Sequence, residues 1–198
     1  MLRLRLPQGA TGIFFAALMA AASPVHASIV QGLELGELVA HADRIVLGRV
    51  VFSESFQRSD GTLGTWHRID VEQDVRGNAS GETEVIVETL GGHIGDLGMR
   101  VEGEPSFEVG ERVVVFISGG GPYAAFRPVG MAQGVMRVRR KQGVETVRQS
   151  REGLMLVRRN AQGRLEKSLG ALPQDEPLDA FLTRVRALVD EQRGGPSE

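Results

Sequence analysis

From Thr65 to Val75 the chain alternates between apolar and charged side chains. Ile69, Val71 and Val75 fall on one parity, Arg68, Asp70, Glu72 and Asp74 on the other. A strand sends successive side chains to opposite faces, so this pattern predicts one packed and one wet face, as in an antiparallel sheet. Glu84–Leu90 alternates in the same way. After Arg112 the chain runs Val-Val-Val-Phe-Ile without a polar residue, which suits a central strand buried on both faces. A β-branched run from Arg44 to Phe52 predicts a long first strand, and Gly48 inside it predicts a bulge or bend. Turn signals stand at Ser59-Asp60-Gly61-Thr62, Arg76-Gly77-Asn78 and Arg159–Arg164. Further short strands are expected at Tyr123–Val129, Gly134–Arg140, Val144–Arg148 and Gly153–Arg158, with one more after the Arg159–Arg164 turn.

Two segments carry helical spacing instead. Leu33, Leu35, Leu38, Val39 and Ala42 predict a short amphipathic helix within Gly32–Ala42. Leu178, Phe181, Leu182, Val185, Leu188 and Val189 predict a second helix over about 177–192, started by Pro177. No internal repeat or low-complexity linker divides the chain. The whole reads as a small, twisted, partly closed β-barrel or sandwich capped by a helix.

The first twenty-seven residues have a different logic. Arg3 and Arg5 precede an apolar stretch from Gly9 to Ala22, and Ser23-Pro24-Val25-His26-Ala27 places small or apolar residues at −3 and −1 before Ser28. That is the layout of a secretory signal peptide cut after Ala27. The apolar core falls short of the about 20 residues that a spanning helix needs. The chain from Ser28 to Glu198 is then expected to be one soluble β-rich domain, periplasmic or secreted, with no membrane span after cleavage. Its core barrel would cover about 42–140 and its basic strands 141–168. The sequence contains no cysteine, so neither disulfide bracing nor a lipid anchor is available.

Charge is balanced overall and uneven along the chain. Sixteen Asp and Glu stand against eight Arg from Ser28 to Met136, and ten Arg and Lys against three Glu from Arg137 to Lys167. Two surfaces of one domain that attract each other account for this; an anionic partner is the alternative. Nucleic-acid binding needs stacking aromatics among the basic residues. Trp66 and Tyr123 lie outside the basic segment, so nucleic acid is not expected as a partner.

The stretch from Leu90 to Glu111 is rich in glycine. It ends without the Gly-Lys-Ser/Thr of a phosphate loop and lacks the dinucleotide fingerprint. A strand-to-strand connection with tight bends is the plain reading, a ligand-cradling loop the other. Ala42–Val50, a strand ending at Val75-Arg76-Gly77, and Phe107–Phe116 follow one another in an order that resembles the TIMP/netrin-like group of OB-type barrels. Leu90–Phe116 followed by Gly130-Met131-Ala132-Gln133-Gly134 also resembles an uncharacterised family of exported bacterial proteins. The resemblance implies a small OB-like antiparallel barrel with a short N-terminal helix and a C-terminal helix. TIMP-like inhibition works through an N-terminal cysteine on zinc; a chain beginning at Ser28 without cysteine does not carry that mechanism. OB-type barrels also bind oligonucleotides or oligosaccharides on a sheet face.

Catalytic patterns are sparse. His41, His67 and His93 show no metal-binding spacing, no Gly-x-Ser-x-Gly elbow is present, and no thiol exists. Glu102 with Glu104, and Asp70, Glu72 and Asp74, are expected at alternating, solvated strand positions. His67 shares parity with Ile69 and Val71 and is expected inside, as a hydrogen-bonded structural histidine. No metal and no cofactor is expected. The resulting expectation is a non-catalytic binding or accessory domain that contacts an envelope or extracellular protein or glycan. Its contact surface would be the loop from Gly91 to Gly110, with Trp66, His93, Asp96, Met99, Phe107 and Tyr123 as contacts. The alternatives are a hydrolase with a site around His67, His93 and Asp96, or a cysteine-free protease inhibitor of TIMP-like fold.

Overall fold

The alternation of Thr65–Val75 resolves into a strand longer than the pattern, within a computed structural model that describes residues 28–77, 81–121, 124–172 and 174–194. The expected signal segment Met1–Ala27, the turn residue Asn78 and the proposed contact Tyr123 lie outside the described residues. Strand β1 (Ser28–Gln31) precedes helix α1 (Leu35–His41), which is followed by β2 (Arg44–Gln57), β3 (Leu63–Arg76) and β4 (Glu84–Leu90). A small hairpin, β5 (Gly92–Ile94) and β6 (Leu97–Met99), comes next. Then follow β7 (Arg112–Gly121), β8 (Ala124–Pro128), a 3₁₀ turn (Met131–Gly134), β9 (Val135–Lys141), β10 (Val144–Gln149), β11 (Leu154–Arg159), β12 (Leu165–Lys167), β13 (Glu176–Pro177) and helix α2 (Leu178–Gly194).

The fold is mainly β. An eight-stranded sheet of the described residues runs β13-β10-β9-β7-β2-β3-β4-β8, and β8 pairs again with β7. Strand β8 meets β4 at one residue pair, Val87 with Phe126, so the sheet curls into a barrel-like form without closing. The basic strands are not a separate unit: β9 and β10 extend this sheet, while β11 and β12 join β1 in a second, three-stranded one. Strand β1 pairs in parallel with β11.

Strand β7 is buried on both faces, as its unbroken apolar run predicted. Val114 and Phe116 join Ile45, Leu47, Met136 and the helices, where Phe116 meets Phe181 edge-on at 6.4 Å between centroids. Val113, Val115 and Ile117 face the inside of the curl with Val46, Val50, Ile69, Val85, Val87 and Phe107. Helix α2 lays Leu178, Phe181, Leu182, Val185 and Val189 into the first of these cores. Helix α1 begins later than its apolar pattern, because the Glu34 N–H donates to the Glu37 carboxylate at 2.7 Å and sets the start there. No helix of the described residues is long and apolar enough to cross a membrane.

Register shifts interrupt the β2–β3 pairing at Leu47/Gly48 and between Val50 and Phe52. A side chain at Gly48 would collide with the Asp70 carbonyl oxygen, so the irregularity at Leu47/Gly48 needs glycine. Part of the uneven charge is paired within the domain. Arg137 pairs with Glu111, Arg158 with Glu34 and Glu37, and Arg112 with Glu72 and Glu145.

Candidate functional site

The inner faces of β2, β3 and β4 end in polar residues on the side where the apolar core stops. In β4, Val85, Val87 and Thr89 are all buried; in β3, Ile69 and His67 are buried on the matching face. Strand β2 contributes Ser53, paired in register with His67. These three side chains form a chain across the strands. The His67 Nδ1 lies 2.8 Å from the Ser53 hydroxyl and its Nε2 lies 3.0 Å from the Thr89 hydroxyl. The Phe107 ring packs against the imidazole at 4.7 Å between centroids.

Above this row the segment after β4 folds back and leaves a cavity of about 350 Å³. Its lining includes Ser53, Thr65, His67 and Thr89 on the sheet, and Met99, Arg100, Glu104, Ser106, Phe107 and Glu152 opposite. Two glycines make the return possible. Gly91 has φ +93°, and a side chain at Gly92 would run into the hydroxyls of Ser55 and Thr65. The Thr65 hydroxyl donates to the Gly91 carbonyl at 2.8 Å, which ties the start of the loop to β3.

Burial sets the charges of the cavity. It pushes His67 down to about 4, so the imidazole is neutral near pH 7. A neutral imidazole has one N–H and one lone pair. One of the two hydroxyls therefore donates to the ring and the other accepts from it, which leaves the accepting hydroxyl with a hydrogen free for another partner. Burial also raises Glu104, and the Leu90 N–H, donating at 3.0 Å, opposes that rise. Burial works against the charge of Glu152 too, but the Ser106 hydroxyl and N–H and the Arg137 guanidinium hold it below its usual range.

The expected contact residues part company here. Met99 and Phe107 line the cavity. His93 and Asp96 sit exposed on the β5–β6 hairpin and are not among the lining residues. Both ring nitrogens of His67 are bonded to Ser53 and Thr89, and the contact holding His93 is its backbone N–H to the Ser55 hydroxyl at 3.1 Å. Trp66 belongs to the opposite face of β3, where it is 42% exposed, stacks on Phe56 at 4.0 Å and donates to Glu88.

Ser53, Thr89, Glu104 and Glu152 also line the cavity, and none of them is among the contacts expected from the sequence. Thr89 has a signal, because it shares the parity of Val85 and Val87. Glu104 has none, because its spacing from Glu102 predicts a solvated strand position. The chain in fact turns at Gly103, where φ is +92°, and sets Glu104 into the cavity wall. Compared with models of known protein families and with curated proteins, the sequence matches none.

Among the described residues no group of three or more His, Asp or Glu side chains is arranged to hold a metal ion. What the arrangement offers is hydrogen bonding in a partly apolar recess. Ser53, Thr89, Ser106 and Glu104 present polar atoms, and Phe107 and Met99 present apolar surface.

Proposed function

We propose that this protein is an exported, non-catalytic binding module of the cell envelope that seats one unit of a glycan in the cavity over His67. The observation that supports the reading is the row Ser53–His67–Thr89, a neutral imidazole locked by two hydroxyls on the floor of a recess of about 350 Å³. That size lies at the small end of ligand sites and suits a compact unit, and the mixture of few polar groups with apolar wall is their usual lining. Sugar rings present hydroxyls that donate and accept together with an apolar face, and the wall carries counterparts for both. Export rests on the Arg3/Arg5 and Gly9–Ala22 layout of the N-terminal segment.

The test is retention on immobilised envelope glycans. Met99→Glu, placed in the cavity wall, is expected to abolish retention, and Trp66→Ala, on the opposite face, to leave it intact. Equal retention by the Met99→Glu protein would remove the cavity from the function. Capture of an envelope protein in place of glycan would move the reading to a protein partner.

A hydrolase is the second reading, favoured by the 2.8 Å contact between the Ser53 hydroxyl and His67. It trails the first because an imidazole that protonates near pH 4 is a weak general base at neutral pH. Labelling of Ser53 by a serine-directed organophosphonate, lost in His67→Gln, would reverse that order.

A further inference from the structure

The carboxylates of the cavity wall are not equivalent. Glu152 is fully engaged: Ser106 bonds one of its oxygens through both hydroxyl and N–H, and Arg137 pairs with the other. Arg100, the cation of the wall, is turned to solvent, with 81% of its side chain exposed, and pairs with Glu102 at 2.9 Å. Glu104 differs. Its Oε2 accepts from the Leu90 N–H, and no ion pair reaches it among the described residues. Arg58 and Arg127, the cations that act on it from a distance, both bond the same oxygen of Glu88. His67, which lines the same cavity, is neutral. Glu104 is thus a carboxyl group in the wall of a partly dry recess, where burial works against its charge and its second oxygen has no hydrogen bond among the described residues.

We propose that Glu104 is the specificity-determining residue of this cavity and selects a sugar unit with a free primary ammonium, a de-N-acetylated amino sugar. The inference rests on the glycan-binding reading and adds the chemical class of the unit. A half-buried carboxylate gains most from a charged donor, because charge-assisted hydrogen bonds are about twice as strong as neutral ones. A hydroxyl in the same place leaves the carboxylate uncompensated, and an N-acetyl group removes the charge and adds bulk. Phe107 and Met99 meet the apolar face of the ring, and the free hydroxyl hydrogen of Ser53 or Thr89 meets a ring oxygen or hydroxyl. A lysine side chain supplies the ammonium but has no hydroxyls for that row, which is why the sugar is favoured over a peptide.

Calorimetric titration of the purified protein with a glucosamine disaccharide, its N-acetylated counterpart, a glucose disaccharide and a lysine-containing dipeptide tests this. The free-amine sugar is expected to bind about tenfold more tightly than the other two sugars, the scale of one charge-assisted contact. Glu104→Gln, which keeps an acceptor for the Leu90 N–H, is expected to erase that preference and to leave the weaker binding of the neutral sugars in place. Glu108→Gln, an exposed acid on the following segment, is expected to keep the preference, which excludes a general attraction of cations to the surface. Thermal unfolding of each variant reports whether it is folded.

Equal binding of all three sugars overturns the amine preference and leaves the glycan reading standing. A preference that survives Glu104→Gln overturns the assignment to Glu104. Binding of the dipeptide alone, or of nothing, overturns both the preference and the glycan reading.

Discussion

Strands β2, β3 and β4 present two faces that differ by a single residue along each strand. On one face lie Ser53, His67 and Thr89; on the other, one position away, lie Glu54, Trp66 and Glu88. His67 is 4% exposed and Trp66 42%. Both faces carry an aromatic contact and a cross-strand hydrogen bond: His67 against Phe107 with its two hydroxyls, Trp66 against Phe56 with Glu88. What separates them is what stands opposite. The inner face is roofed by the segment that carries Met99, Glu104 and Phe107, and the outer face is open. The same types of contact therefore carry different energies, because water competes on one side and is largely excluded on the other.

Removing the roof should break the contrast most. Phe107 is buried against His67 and the inner core, so Phe107→Ala is expected to cost about 3–5 kcal/mol in urea unfolding. A loss below about 1 kcal/mol would mean that the roof does not pack on the sheet in solution.

Next in size is the pH dependence of the inner face. His67 ordinarily protonates near 6.5 but in the fold only near 4, so between these values the unfolded chain binds more protons than the native one. Stability is then complete above about pH 6.5 and falls as the pH drops, by roughly 3 kcal/mol once it is below 4. Denaturation measured from pH 4 to 7 should show this slope in the wild type on top of the carboxylate contribution, and His67→Gln should lack it. Superimposable slopes in the two proteins would place His67 in contact with solvent.

The smallest effect belongs to the outer face. Trp66→Ala removes a stacked pair at the surface and is expected to cost about 1 kcal/mol, with no change in the pH slope. A cost equal to that of Phe107→Ala would show that the outer face is covered, and the comparison of the two faces would fail.

Much of the architecture could be read beforehand because side-chain period is a local property. The alternation in β3 and β4 assigned Ile69, Val71, Val85 and Val87 to one face, the unbroken run in β7 announced burial on both sides, and Gly48 marked an irregular pairing; Val75, expected on the face of Ile69 and Val71, packs against the helix-side core instead, beyond a register shift in the β2–β3 pairing. Period said nothing of β1, whose four residues gain their place from pairing with β11, more than a hundred positions away. The β5–β6 hairpin was hidden inside a stretch that read as loop, since three-residue strands are too short to show a period.

The site was less accessible. His67 was expected inside and hydrogen-bonded, and Met99 and Phe107 were named from the glycine-rich segment; all three border the cavity. Trp66, expected to share their surface, lies on the other face of β3.

Taken alone, the amino-acid order determined a mainly β chain with two amphipathic helices, the inward parity of His67 and the supply of glycine for tight returns. Tertiary structure decided which residues meet. Val50 points inward, and unbroken alternation would bring Phe52 inward after it. The register shift between Val50 and Phe52 reverses that order, leaving Phe52 44% exposed and setting Ser53 against His67. One extra residue in a strand exchanges its two faces, and whether it is accommodated as a bulge depends on the neighbouring strand rather than on the segment itself. The turn at Gly103 that brings Glu104 over the same row has the same kind of cause. A side chain at Gly103 would run into Leu154 and crowd Met131, neighbours distant in sequence that no local pattern contains.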